Sequence, residues 1–247
     1  MLNEIRSKYI LNLVFMNLQK RMKMKILKYN NKLKKKLNIK LKEFQQYKKL
    51  KEWNQKLNIN IEDTNINIIN LSRKCIGNEE FKYFEDVEFG DLKTLNLNGN
   101  NLTNINAIEN IKSEKLETLF FHDNYIINID IFEKINLNEL RELDLSYNKI
   151  TDVYVFTNAN FSKLEKLLLG SNFITDINIL ENANLNELKE LDLSENKISD
   201  IKVFINTKFK KLNLLYLIGN QIDEYAIVNS LIISKLRSKI KSLYIWN

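Results

Sequence analysis

The residues with which this 247-residue chain could do acid, base or nucleophilic chemistry are few. They are one histidine, His122, one cysteine, Cys75, and two aspartates, Asp144 and Asp192, which occupy the same place in two copies of the string ELDLS. Two carboxylates held about 10 Å apart could divide the work of general acid and general base. A histidine could be a base or a metal ligand, and a cysteine a nucleophile if a base lay beside it. The spacing argues against each use. One histidine and one distant cysteine make neither a metal-ligand cluster nor a Cys/His pair. The glycines at Gly77, Gly90, Gly99, Gly170 and Gly219 are scattered and form no phosphate-cradling loop. The aspartates recur because their surroundings recur. We therefore expect no catalytic residue, cofactor or metal, and read His122 as a surface contact residue.

What positions these residues is a period. Leu92, Leu116, Leu140, Leu164, Leu188 and Leu212 are spaced by 24 without an insertion, and the third and fifth residues after each are apolar, from Leu95 and Leu97 to Leu215 and Leu217. That alternation belongs to a strand with one buried face. An asparagine follows at Asn100, Asn124, Asn148, Asn172, Asn196 and Asn220, then an aliphatic residue two places on, so the frame LxxLxLxxNx(I/L) occurs six times. One unit cannot bury its apolar side alone, but stacked units share a core, with short parallel strands about 4.8 Å apart. Where each coil leaves its strand, inward backbone N–H and C=O groups have no ladder partner, and leaving one unpaired costs about 1–3 kcal/mol. An amide offers both a donor and an acceptor. The six asparagines are thus expected as an interior row bonding the turns of their own and neighbouring coils. Behind the strands, Ile129 and Phe132, Val153 and Phe156, Ile177 and Leu180, and Ile201 and Phe204 recur at a spacing of three, as inward-facing helical turns would place them.

This frame resembles the leucine-rich repeat, and the continuations ITDV, ITDI and ISDI are similar to the short repeats of internalins and of a nuclear phosphatase regulatory subunit. The resemblance covers about residues 68–247. It implies an α/β solenoid: a right-handed superhelix with a parallel β-sheet on its concave face, preceded here by a small α-helical N-terminal module. The divisions are a basic helical module at 1–60, a degenerate first coil at 61–91, six repeats at 92–222 and a C-terminal cap at 223–247. In the degenerate coil Lys74 stands where the asparagine should be; in the cap a helix is expected in DEYAIVNSLIISKLRSK and a last strand in IKSLYIW. Solenoids need such closed ends. The resemblance further implies a non-catalytic module that binds another protein.

If the apolar strand positions point inward, the residues between them point out. Phe120, His122, Asp144, Tyr147, Leu168, Asp192 and Tyr216 are the expected partner contacts on the concave face. Aromatic and aliphatic rows alternate there with acidic ones. Aromatic side chains supply interface hot spots more often than others, and large apolar patches are seldom left to water. For Tyr216, with its neighbours Leu214 and Ile218, burial under the C-terminal cap is the alternative.

The front of the chain differs in character. Residues 1–60 hold 17 Lys or Arg against Glu4, Glu43 and Glu52, a net of +14 in a chain whose total is +7. Tyr9, Ile10, Leu13, Val14 and Leu18 begin a pattern of three short amphipathic helices that ends at Leu33 and Leu37. It resembles an F-box, without the usual Leu-Pro opening, since the chain has no proline. That resemblance implies a cullin-ligase linker subunit as a partner through residues 1–40 and a substrate-receptor role for the repeats. The alternatives are a nucleic-acid or anionic-surface binder acting through residues 20–51, because clustered lysines attract polyanions, or a plain solenoid cap. LKEFQQYKKLKEWNQKL, residues 41–57, reads as a helix joining the two parts. One cysteine excludes an internal disulfide, no signal peptide is read at the start, and no apolar run approaches the roughly 18–20 residues of a membrane span. The expected location is cytoplasmic or nuclear.

Overall fold

Each 24-residue unit closes one coil, and each coil contributes one short strand. In the computed structural model, which describes residues 41–61, 66–111, 114–206, 209–223 and 225–245, eight strands lie side by side in a single parallel sheet in chain order. They are β1 Ile68–Asn70, β2 Thr94–Asn96, β3 Thr118–Phe120, β4 Glu142–Asp144, β5 Lys166–Leu168, β6 Glu190–Asp192, β7 Leu214–Tyr216 and β8 Ser242–Tyr244. Residues 1–40, on which the F-box-like reading rests, lie outside the described residues.

From β2 to β7 the register follows the repeat: Leu95, Leu119, Leu143, Leu167, Leu191 and Leu215 are successive partners. The first step is longer, pairing Ile69 with Leu95, and so is the last, pairing Leu215 with Leu243. The central residue of each strand from β1 to β7 is buried, as is the leucine or phenylalanine two places later. Behind the sheet each coil returns through a single helical turn, at Asn106–Asn110, Asp130–Glu133, Val155–Asn158, Asn178–Asn182 and Val203–Asn206. Phe132, Phe156 and Phe161 from these returns pack edge-on or tilted in the same core.

The asparagine row lies where the inward backbone needs it. Asn100, Asn124, Asn148, Asn172 and Asn196 are buried, and Asn220 is half-buried. Each amide oxygen accepts the N–H of the aliphatic residue in the preceding coil, as Asn148 does from Ile126 at 3.0 Å and Asn172 from Ile150 at 2.9 Å. Each amide nitrogen donates to carbonyls of its own and the preceding coil, so that consecutive asparagines share one acceptor: Phe121 O for Asn124 and Asn148, Leu145 O for Asn148 and Asn172. In the first coil, where Lys74 replaces the amide, Asn100 Oδ1 accepts the N–H of both Lys74 and Ile76.

Residues 41–57 are a helix, α1 (Leu41–Leu57), but they do more than join two parts. Leu50, Trp53 and Leu57, at helical spacing on one face, are buried in the solenoid core. The Trp53 ring meets Phe84 edge-on at 4.8 Å and Phe89 at 5.4 Å, and Lys56 Nζ sits 3.8 Å above the Tyr83 ring. The helix ends at Asn58, whose φ of 48° is the left-handed conformation of a helix stop, and the Ile59 N–H returns to Asn54 O at 3.0 Å. α1 thus closes the N-terminal end of the solenoid core. At the other end the helix Ile227–Lys239 buries Ile232, Ile233 and Leu236, and β8 extends the sheet by one strand.

Charge signs alternate from coil to coil at the positions flanking the first leucine. Asp91 pairs with Lys115 and Glu139 with Lys163, both at 2.6 Å, while Lys93 pairs with Glu117 and Arg141 with Glu165 at 2.6 and 2.7 Å. Hydrogen bonds from Lys189 and Arg141 hold the Glu165 carboxyl below its ordinary range, against the opposing pull of burial. Such exposed pairs contribute about 0–1 kcal/mol each. Their alternation still favours one register, since a coil slipped by one repeat would face like charges.

Candidate binding face

On the solvent side of the sheet the register builds two rows. Asn96, Phe120, Asp144, Leu168, Asp192, Tyr216 and Tyr244 are consecutive partners across β2 to β8. Thr94, Thr118, Glu142, Lys166, Glu190 and Leu214 form the row beside it. Phe120, Asp144, Leu168, Asp192 and Tyr216 are all half-buried, so they face outward while leaning on their neighbours. Lys166 Nζ lies 3.5 Å from both Glu142 and Glu190. Burial pulls its ammonium down, but the two carboxylates, Glu190 first, outweigh it and hold the group above the usual lysine value.

His122, Asp144 and Ser146 come together just past β3 and β4, and their residue types invite comparison with a nucleophile, a base and an acid. Ser146 Oγ lies 2.5 Å from Asp144 Oδ1, and His122 Nδ1 lies 2.7 Å from Ser146 Oγ. The serine has one proton and the carboxylate is the stronger acceptor, so the hydroxyl donates to Asp144 and Nδ1–H donates to the hydroxyl. In a catalytic triad the histidine must instead take the serine proton. The same Asp–Ser bond, at 2.5 Å, recurs between Asp192 and Ser194, where no histidine accompanies it. Asp144 and Asp192 are turn-formers here: each accepts the N–H of the serine two residues on, at 3.0 and 2.8 Å. They stand two strands apart with Leu168 between them.

The coils that hold this face match known proteins by family and by fold. A family model described as "Leucine Rich repeats (2 copies)" matches residues 114–160 and 162–206, and one described as "Leucine Rich Repeat" matches residues 91–111. The chain is a leucine-rich repeat protein. No curated protein matches it in sequence. Among solved structures it is similar to internalin C2 from Listeria monocytogenes, at 20% identity and a TM-score of 0.52, covering 79% of this chain and 89% of that one. It is also similar to an internalin, InlF, from the same organism, at 23% identity and a TM-score of 0.54, covering 81% of this chain and 62% of the internalin. These likenesses concern the fold.

Each repeat carries a residue in the left-handed region just before its asparagine: Gly99, Asp123, Tyr147, Ser171, Glu195 and Gly219. Tyr147 is the bulkiest of them, at φ 54°, is 58% exposed, and packs its ring 4.9 Å from that of His122. Glycine serves this position in two of the six repeats, so Tyr147→Gly should leave stability unchanged or raise it by up to about 1 kcal/mol of relieved strain. A clear fall in a thermal melt would show that the ring stabilises the turn. Tyr216 is half-buried, not buried under the cap: the cap's strand β8 lies beside it, and Tyr244 stacks on it at 4.8 Å. Burial, and then the charge of Glu190, push its phenol above the ordinary value. Sequence reasoning passed over one row. Tyr125 and Phe173 are exposed, with Lys149 and Lys197 each 4.9 Å above their rings. Its signal was an aromatic–lysine alternation one residue past the four middle asparagines, at Tyr125, Lys149, Phe173 and Lys197.

Proposed function

We propose that the solvent-facing side of the sheet docks another polypeptide and that the chain works as a protein-recognition module. One observation carries this reading: Phe120, Leu168 and Tyr216 stand half-exposed in one row across five neighbouring strands, at positions that the core does not use. A partner that covers them removes apolar surface from water at about 25 cal/mol per Å². Affinity capture from native lysate by the full chain, compared with the Phe120→Ala, Leu168→Ala double variant, tests it. Specific prey should fall at least about tenfold, because interface aromatics and their neighbours carry most binding energy. Both substitutions face outward, so the melting temperature should change little. Undiminished prey would move the site elsewhere.

A finer version makes the chain a substrate receptor of a cullin-type ubiquitin ligase, with a linker subunit held by residues 1–40 and the sheet holding the substrate, in the cytoplasm or nucleus. What supports it is the order of a helical segment before leucine-rich repeats. Leu13→Asp should then eliminate linker co-purification, while a chain beginning at residue 41, which keeps α1, still captures prey. The net +14 of residues 1–60 favours a second reading, a nucleic-acid or anionic-surface binder. Binding to RNA or anionic vesicles would then weaken steeply as salt rises.

A further inference from the structure

We infer that the segment received by this face presents two cationic side chains about 10 Å apart with an apolar side chain between them, the cations meeting Asp144 and Asp192 and the apolar group meeting Leu168. The inference rests on the docking reading above and adds the chemistry of the partner.

The argument starts from what the turn requires. In the first coil Asn70 Oδ1 accepts both the Ser72 N–H at 3.0 Å and the Ser72 hydroxyl at 2.8 Å, the pair of bonds that Asp144 makes to Ser146 and Asp192 to Ser194. In the second coil Asn96 Oδ1 accepts the Asn98 N–H at 2.9 Å. A neutral amide therefore closes this turn. The negative charge at 144 and 192 is surplus to it, and keeping a carboxylate half-buried without a cation is costly. Among the described residues neither carboxylate has a lysine or arginine within 4.0 Å; Asp144 Oδ2 has only His122 Nδ1 at that distance, and its side chain keeps 14% of its exposure. Lys166, the cation on the neighbouring row, is held between Glu142 and Glu190. The central face thus holds four carboxylates and one ammonium in a chain whose total charge is +7. Two strand spacings separate Asp144 from Asp192, and Leu168 fills the step between. That period matches residues three apart on a polyproline II segment, which share one side at about 3.1 Å per residue, or seven apart on a helix, at about 1.5 Å each; on a β-strand residues three apart would point to opposite sides.

Fluorescence anisotropy with the full chain tests this, using two labelled peptides on a Gly/Ser/Gln background. One carries Arg residues three apart with Leu between; the other is helical, with Arg residues seven apart and Leu midway. At least one should bind below about 1 mM, and its Arg→Gln version should bind roughly tenfold more weakly. Asp144→Asn and Asp192→Asn keep the turn and should each weaken the Arg peptide by about three- to tenfold while leaving the Gln peptide unchanged. The inference is overturned if neither peptide binds, if an Arg→Glu version binds as well, or if both Asn variants bind like the wild type. Should the Asn variants bind unchanged while Phe120→Ala, Leu168→Ala abolishes capture, the docking face stands and only its charge preference falls. If that double variant also leaves capture intact, both readings fall.

Discussion

Trp53→Ala is expected to undock α1 and to destabilise the N-terminal end of the solenoid by about 3–5 kcal/mol, the usual cost of removing a buried tryptophan ring. The ring is 2% exposed and packs against both Phe84 and Phe89, which also touch each other. Its indole N–H has no hydrogen-bond partner among the described residues, so the side chain contributes area and shape rather than a bond. Trp53→Phe should accordingly recover much of the loss. In a solenoid each coil leans only on its neighbours, so the damage should stay local. Amide exchange in residues 48–57 should accelerate by roughly two to four decades, at about 1.4 kcal/mol per decade. Exchange in β5 and β6 should hardly change. A uniform acceleration along the chain would mean that the whole solenoid opens as one unit; no acceleration at all would mean that α1 is not held by this ring.

The role of α1 also marks how far the sequence could be read. Leu95, Leu119, Leu143 and their successors announced both the strands and their register, because a repeat of constant length leaves no freedom in the pairing. Residues 41–57 read as a helix joining two parts, not as one that buries Leu50, Trp53 and Leu57: Phe84 and Phe89, which Trp53 meets, lie some thirty residues on, in the coil where the repeat is weakest. IKSLYIW did announce the last strand, which forms as β8, but the longer first and last steps of the sheet could not be counted off, since no consensus survives there. On the candidate face, periodicity showed which side chains point out, and the row from Phe120 to Tyr216 follows from that alone. It did not show what those side chains do locally. Asp144 and Asp192 read as contact residues, yet each also closes a turn through a bond to the serine two places on, a local competition that alternation does not reveal. Tyr216 depended on where the cap would go, and β8 went beside it.

Asn148→Leu is expected to cost about 2–4 kcal/mol, although leucine fits the volume and leaves no cavity. Four polar contacts vanish: the Ile126 N–H loses its acceptor at 3.0 Å, and the carbonyls of Phe121, Leu145 and Ser146 lose a donor at 2.9, 3.0 and 3.1 Å. The losses are unequal. Phe121 O keeps Asn124 and Leu145 O keeps Asn172, because the row shares its acceptors, so the orphaned Ile126 N–H dominates. For a chain of this size the melting temperature should fall by roughly 4–16 °C. Asn220→Leu should cost less, since that amide is half-buried. Asn148→Asp separates hydrogen bonding from packing. The carboxylate keeps an acceptor for Ile126 but turns a negative charge toward three carbonyls, which raises its folded pKa above the unfolded one. A group shifted upward binds its proton more tightly when folded, so stability should rise as pH falls through the raised pKa, where the protonated carboxyl regains a donor. The wild type should show no such gain in acid. Thermal melts of the wild type, Asn148→Leu and Asn148→Asp from neutral pH down to about pH 5 decide the matter: an Asp variant whose deficit against the wild type stays constant over that range would mean that the row acts by filling space, and the backbone groups it faces would have to find other partners.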